Sequence, residues 1–246
     1  MNPIVILGPM HSETDYLIEQ LGNLREVAIG EYRFFCGELE GRPLVIGRTQ
    51  IGMVNAAAAA TAAILRFEPE CILLQGTSGA HAPSLHRGDI VLGKTLVNIN
   101  NYMIPHRDKG AGSRPDDWEF FGTEMTVNGS LTQIKRLFSD ETLLRIAESV
   151  PYAKGNKVTG SIGSGDVWNR ELDRISAIRA EYGTFCEEME CFAVAQVCDQ
   201  LGKIPLLVIR IISNNEWHAE ETFDPSVGTD CQKFTLDVVR EYGKQA

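Results

Sequence analysis

Phe185-Cys186-Glu187-Glu188-Met189-Glu190-Cys191-Phe192-Ala193, followed shortly by Ile204-Pro205-Leu206-Leu207-Val208-Ile209-Arg210-Ile211-Ile212-Ser213-Asn214-Asn215, is the stretch on which the reading of this chain turns. An acidic Glu-Met-Glu stands at the mouth of a helix of small residues, and an apolar strand then ends abruptly in Arg-x-x-Ser-Asn. Open α/β sheets bind ligands outside the carboxyl ends of their strands, so charged and amide groups placed there mark a site.

Short apolar runs of the same kind recur upstream at Ile4 to Leu7, Leu44 to Ile46, Cys71 to Leu74 and Asp89 to Leu92. Each is bounded by Gly or Pro or feeds a helical stretch, as buried strands of an α/β sheet do. Between them the pattern predicts a helix over Glu13 to Leu21, with Ser12 as its N-cap and Gly22 as its stop. It predicts others over Met53 to Phe67, Leu143 to Val150, Asn169 to Tyr182, Glu190 to Leu201 and Cys231 to Tyr242. The Ala-rich second of these is thin enough to pack closely on a sheet. Asn98 to Thr126 differs, being rich in Asn, Arg, Asp, Gly and Pro with Tyr102, Trp118, Phe120 and Phe121 scattered through it. A long irregular segment in a compact chain is usually functional, and a loop near the site or a subunit interface is expected.

At 246 residues, 43% hydrophobic and 23% charged, the chain reads as one α/β domain spanning 1–246. A net charge of -10 without a Lys/Arg block excludes nucleic acid as an expected partner and favours a small, weakly charged substrate. Six cysteines without a CxxC pair read as reduced core thiols, and neither a metal nor a cofactor is expected. The chain opens on Pro3-Ile4-Val5-Ile6-Leu7-Gly8 with no basic leader, and no apolar run reaches the ~18 residues of a membrane span. A cytoplasmic protein with no membrane partner is expected.

Several positions could carry chemistry. Glu13 lies just past the first strand, where a carboxylate kept ionised by a helix N-terminus would serve as a general base, or would simply complement the helix dipole. Gln75-Gly76-Thr77-Ser78-Gly79 ends the third apolar strand in small residues that allow close backbone approach to a ligand, or a plain tight turn. It has neither P-loop nor GxGxxG spacing. Trp168, after Ser164-Gly165-Asp166, offers an indole face that can stack on a heterocyclic base or cover a core edge. Asn214 and Asn215 are poor packing residues and good readers of a hydrogen-bonding ligand.

Taken in order, Gly8 to Glu13, Gly76 to Gly79, His86 to Val91, Ser164-Gly165-Asp166, Met189-Glu190 and Arg210 to Asn214 resemble the 5'-methylthioadenosine/S-adenosylhomocysteine nucleosidase family of the purine nucleoside phosphorylase/hydrolase superfamily. The resemblance runs from about residue 3 to the C-terminal helix. It implies a three-layer α/β/α sandwich around a mixed sheet partly curled into a barrel, and a homodimer. It implies hydrolysis of a purine nucleoside such as 5'-methylthioadenosine or S-adenosylhomocysteine, with release of adenine. By the same resemblance Glu13 activates water, and Met189 and Glu190 hold the ribose. Trp168 stacks on the purine beside backbone contacts from Asn169. Met10, Ile51 and Phe223 line the 5'-substituent pocket, while Thr77 and Arg210 support the ribose-binding carboxylate.

Two departures stand out. Where the superfamily's phosphorylases carry phosphate-binding arginines, this chain reads Met10-His11-Ser12 and Leu74-Gln75, which favours water as the nucleophile, while Arg48 and Arg87, nearby in sequence, are the cations that would oppose this. Asn214 stands where adenine-specific nucleosidases carry Asp, and an amide donates a hydrogen bond to N7 but no proton. Asn can pair with adenine N6 and N7, and an amide donor equally suits a 6-oxopurine, as in the superfamily's futalosine hydrolases. A relative that binds nucleosides without turnover is the reading from a different class, and retention of Glu13 and Glu190 opposes it.

Overall fold

Side chains alternate along the first strand and so create two cores. In β1 (Ile4–Gly8), Val5 and Leu7 enter one buried cluster and Ile4 and Ile6 the other, as a strand covered on both faces requires. The computed structural model describes residues 1–245. After β1 come α1 (Asp15–Glu19), an antiparallel meander of β2 (Gly22–Ile29), β3 (Tyr32–Leu39) and β4 (Arg42–Arg48), then α2 (Met53–Phe67), β5 (Cys71–Ala80) and β6 (Ile90–Asn98). The short strands β7 (Tyr102–Met103), β8 (Glu119–Phe120), β9 (Thr123–Val127), β10 (Ser130–Ile134) and β11 (Leu137–Phe138) follow. The chain then runs through α3 (Glu141–Ser149), β12 (Lys157–Ser164), α4 (Leu172–Tyr182), β13 (Thr184–Glu188), α5 (Cys191–Gln200), β14 (Leu206–Asn215) and α6 (Gly228–Gln245).

The main sheet has 10 strands, ordered β11-β6-β12-β13-β5-β1-β4-β3-β2, and β14 pairs with both β5 and β6. That double pairing closes β5, β14, β6, β12 and β13 into a ring, parallel at β5–β14, β6–β12 and β12–β13 and antiparallel at β14–β6 and β13–β5. One face packs under α2 and α5, and the other under α1, α3 and α6. Ala56, Ala59, Ala60 and Ala63 of α2 are all fully buried, and only methyl side chains permit so close an approach to the sheet. The result is the expected three-layer α/β/α sandwich with a central mixed sheet, partly curled into a barrel.

The helix expected over Glu13 to Leu21 is instead a 3-10 turn at His11–Glu13 followed by the five-residue α1, and Ser12 caps nothing. The cause is Glu13, whose carboxylate folds back to accept from the Met10 and Thr77 amides. A side chain tied into the sheet in this way tightens the turn and ends it at Thr14. Gly22 opens a strand rather than merely stopping a helix. Asn98 to Thr126 is more ordered than its composition suggests. Tyr102 pairs with Phe120 across β7 and β8, and the buried Arg174 of α4 lies over the rings of Tyr102, Trp118 and Phe120 at 4.6, 5.2 and 5.3 Å. These cation–π contacts anchor the segment to α4.

Candidate active site

Carboxyl ends of β1, β5, β13 and β14 converge on a cleft that is open to solvent. Its lining includes Met10, Glu13, Ile51, Thr77, Gly79, Trp168, Met189, Glu190, Asn214 and Phe223, so nine expected site residues meet there although they are spread over the chain.

Glu13 is fully buried and accepts three hydrogen bonds, from the Met10 amide at 3.0 Å, the Thr77 amide at 2.6 Å and Thr77 Oγ1 at 2.8 Å. Burial nonetheless dominates and raises its pKa, with those bonds and Arg210 pulling the other way. The expected ionisation of Glu13 by a helix terminus meets an opposing effect, since burial shifts its pKa upward. Thr77 also changes partner, since it supports Glu13 and not the carboxylate of Glu190.

Arg210 enters from the middle of β14, wholly buried, and pairs with Glu188 and with Glu190, the latter at 3.2 Å. Burial depresses its charge less than the neighbouring carboxylates sustain it, and its pKa is raised. Glu190 accepts the Gly52 amide at 3.0 Å, while Asp166 accepts the next amide, that of Met53, at 2.8 Å. The start of α2 is thus tied to the site by consecutive N–H groups. Burial raises the pKa of Glu190 against the lowering effect of Arg210. Gly76 lies where the two systems meet, because a Cβ there would stand 2.6 Å from Arg210 Nη1 and 2.8 Å from Glu13 Oε1.

At the other end of the cleft, the Ser213 hydroxyl lies 3.1 Å from the Ser78 carbonyl and 3.0 Å from Asn214 Oδ1, between which its one hydrogen is shared, and Asn214 Nδ2 donates to Glu216 Oε1 at 3.5 Å. Trp168, 54% exposed, meets Phe223 edge-on at 5.7 Å, and with Ile51 they form an apolar rim. Asn169 does not line the cleft. Its backbone N–H and side-chain Nδ2 both donate to Glu187, at 2.7 and 2.6 Å, so of its backbone groups the N–H is already partnered within the protein. Arg210, too, stays behind the cleft wall, holding Glu190 as expected.

Glu187 itself had no role in the sequence reading. It is buried, lines the cleft, and accepts from His81. The available signal was a second glutamate beside Glu188 in a strand-length run feeding a helix, where charge has no packing reason to be.

Carboxylates from Glu13, Glu187, Glu188 and Glu190 line the cleft without a single lining Lys, Arg or His. Arg48 is spent on Asp15 at 2.6 Å and Thr14 at 3.0 Å, and Arg87 on the carbonyls of Glu220 and Thr222. Among the described residues no cluster of His, Cys, Asp and Glu could hold a metal ion.

The sequence profile of the phosphorylase superfamily matches residues 3–242 of this chain. The chain belongs to the phosphorylase superfamily. Within that superfamily it groups with the nucleosidases: the 5'-methylthioadenosine/S-adenosylhomocysteine nucleosidase of Anoxybacillus flavithermus is 32% identical over 214 residues, covering 86% of this chain and 84% of the relative. Among solved structures, the corresponding enzyme of Neisseria meningitidis in complex with methylthio-immucillin-A superposes with a TM-score of 0.80 at 25% identity, over 98% of this chain and 99% of that one. The futalosine hydrolase of Helicobacter pylori superposes with a TM-score of 0.79 at 25% identity, over 98% of both chains. This phosphorylase-superfamily chain is therefore similar to nucleosidases and to a futalosine hydrolase.

Proposed function

We propose that this protein hydrolyses the N-ribosidic bond of a purine nucleoside. One observation carries the reading: a buried base-like carboxylate, Glu13, faces a cleft lined by glutamates and by no cation. Phosphate entering such a cleft would find carboxylates and no cation to pair with, whereas water needs none.

In the proposed reaction Glu13 takes a proton from water as the oxygen attacks C1'. The C1'–N9 bond breaks and its electron pair leaves with the purine, which acquires a proton. Positive charge building on the sugar is stabilised by Glu13 and Glu190, the latter holding the ribose hydroxyls beside Met189. Asn214 Nδ2 donates to N7 of the departing base, Trp168 stacks on it, and Met10, Ile51 and Phe223 receive an apolar 5'-substituent. The relatives point to 5'-methylthioadenosine or S-adenosylhomocysteine as substrate. The Asn214 amide, which lines the cleft, supports a second reading, a nucleoside of a 6-oxopurine, because its Nδ2 has a second hydrogen to donate beside the one given to Glu216.

We also infer that the enzyme works as one domain, 1–246, in a cytoplasmic homodimer. Exposed Val54 and Leu65 on α2 support the pairing. No helix of the described residues is long and apolar enough to cross a membrane. The deciding experiment is a nucleoside panel assayed for free base with and without phosphate. Base release in phosphate-free buffer is expected, and release only on addition of phosphate would show the reading to be wrong.

A further inference from the structure

Glu187 and Asn214 share one register partner. Glu187 of β13 and Asn214 of β14 both stand opposite Gly79 of the intervening β5. Gly79 offers no side chain between them, and a Cβ there would already lie 3.2 Å from Asn214 Nδ2. The two polar groups therefore flank a strip of bare backbone at the base of the cleft.

Their hydrogen-bonding faces are fixed from behind. A carboxylate only accepts, so His81 donates its Nε2 hydrogen to Glu187 Oε2 at 3.0 Å, and its Nδ1 accepts the Thr184 hydroxyl at 2.7 Å. Asn169 donates one hydrogen to each carboxylate oxygen. Oε2 thus has two donors and Oε1 one, which leaves an acceptor position on a side chain that faces the cleft. Opposite it, Asn214 Nδ2 donates one of its two hydrogens to Glu216 Oε1 at 3.5 Å and has a second to offer, while Oδ1 lies 3.0 Å from the Ser213 hydroxyl.

Resting on the nucleosidase reading, we propose that Glu187 is the specificity-determining residue for the base and selects a 6-oxopurine by accepting its N1–H while Asn214 donates to O6 or N7. A 6-oxopurine offers a donor at N1 and acceptors at O6 and N7, which matches acceptor to donor at each end. Adenine offers an acceptor at N1, which would face the carboxylate lone pair, and a donor at N6, which would face the Asn214 N–H. His81, Thr184 and Asn169 act through Glu187 as positioning residues.

The test needs no variant at first. Binding of hypoxanthine, 1-methylhypoxanthine and adenine to the intact protein is measured by calorimetry. Hypoxanthine is expected to bind roughly 10- to 100-fold more tightly than either of the others, the worth of one hydrogen bond to a charged group. In Glu187→Gln, whose amide can face N1 of adenine with a donor, the gap between hypoxanthine and adenine is expected to close. Adenine binding as tightly as hypoxanthine, or a loss-free methylation at N1, would overturn the proposal. The nucleoside panel separates it from the reading beneath it. A hypoxanthine preference with no nucleoside cleaved would uphold the role of Glu187 and defeat the hydrolase, whereas preferential cleavage of adenine nucleosides would uphold the hydrolase and defeat the role of Glu187.

Discussion

In the proposed reaction the acidity of Glu13 is pulled in opposite directions: it must lose its proton to activate water, yet burial makes the charged form costly. Activity needs the ionised form, so kcat/KM should fall as pH drops through a pKa above the ordinary 4.5 of a glutamate. A pH–rate profile whose acid limb is displaced upward from that value is the expected measurement. Glu13→Gln should lower kcat by about 100-fold or more while leaving binding of free base nearly unchanged, as removal of a general base does. Asn214→Asp tests the leaving-group side. A carboxylic acid can pass a proton to N7, so adenine-nucleoside turnover should rise roughly 10-fold or more in a base-release assay. Most of these residues were legible in the sequence because polar groups at strand ends have no packing purpose. Glu187 was not, since its meaning depends on His81, a residue 106 positions away in the chain. Thr77 supports Glu13 rather than Glu190 for a related reason: the sequence does not say which carboxylate the fold brings near.

Among the elements, α2 shows how a helix can be part of the chemistry without contributing a reactive group. Its entry residue Gly52 has φ of +103° and gives its amide to Glu190. Any other residue there is strained by about 1–3 kcal/mol, and a Cβ would also stand 3.1 Å from Asp166 Oδ1. Gly52→Ala should therefore lower thermal stability and raise KM together, since the ribose carboxylate loses its support. Asp140→Ala offers the contrast. Asp140 caps α3 by accepting from the Thr142 and Leu143 amides, so its loss should cost about 1 kcal/mol of stability in denaturant titration with unchanged kcat. The Ala-rich run Met53 to Phe67 matches the limits of α2 to the residue. Of the meander only β4 is legible, at Leu44 to Ile46, since β2 is largely exposed and carries little apolar alternation. β13 was missed because burial there falls on glutamates, which propensity reads as surface.

For the whole molecule, several buried groups bias stability against pH in one direction. Burial raises the pKa of both Glu13 and Glu190, so the folded protein holds protons that the unfolded chain releases. Their contribution is complete below the unfolded carboxylate value and is lost as pH rises through the folded values. The ligand-free protein should thus lose melting temperature between about pH 5 and about pH 8, and Glu13→Gln, which cannot titrate, should show a shallower decline by scanning calorimetry. A nucleoside would oppose that loss by binding only the folded form.

The bare strip at Gly79 has a consequence for how this enzyme could change over evolutionary time. The groups proposed to choose the base, on β13 and β14, are distinct from the one proposed to activate water, beside β1. Base preference can then drift by one substitution on either flank of Gly79 while the hydrolytic step is inherited intact, so a single ancestral catalyst can seed lineages that salvage different purines.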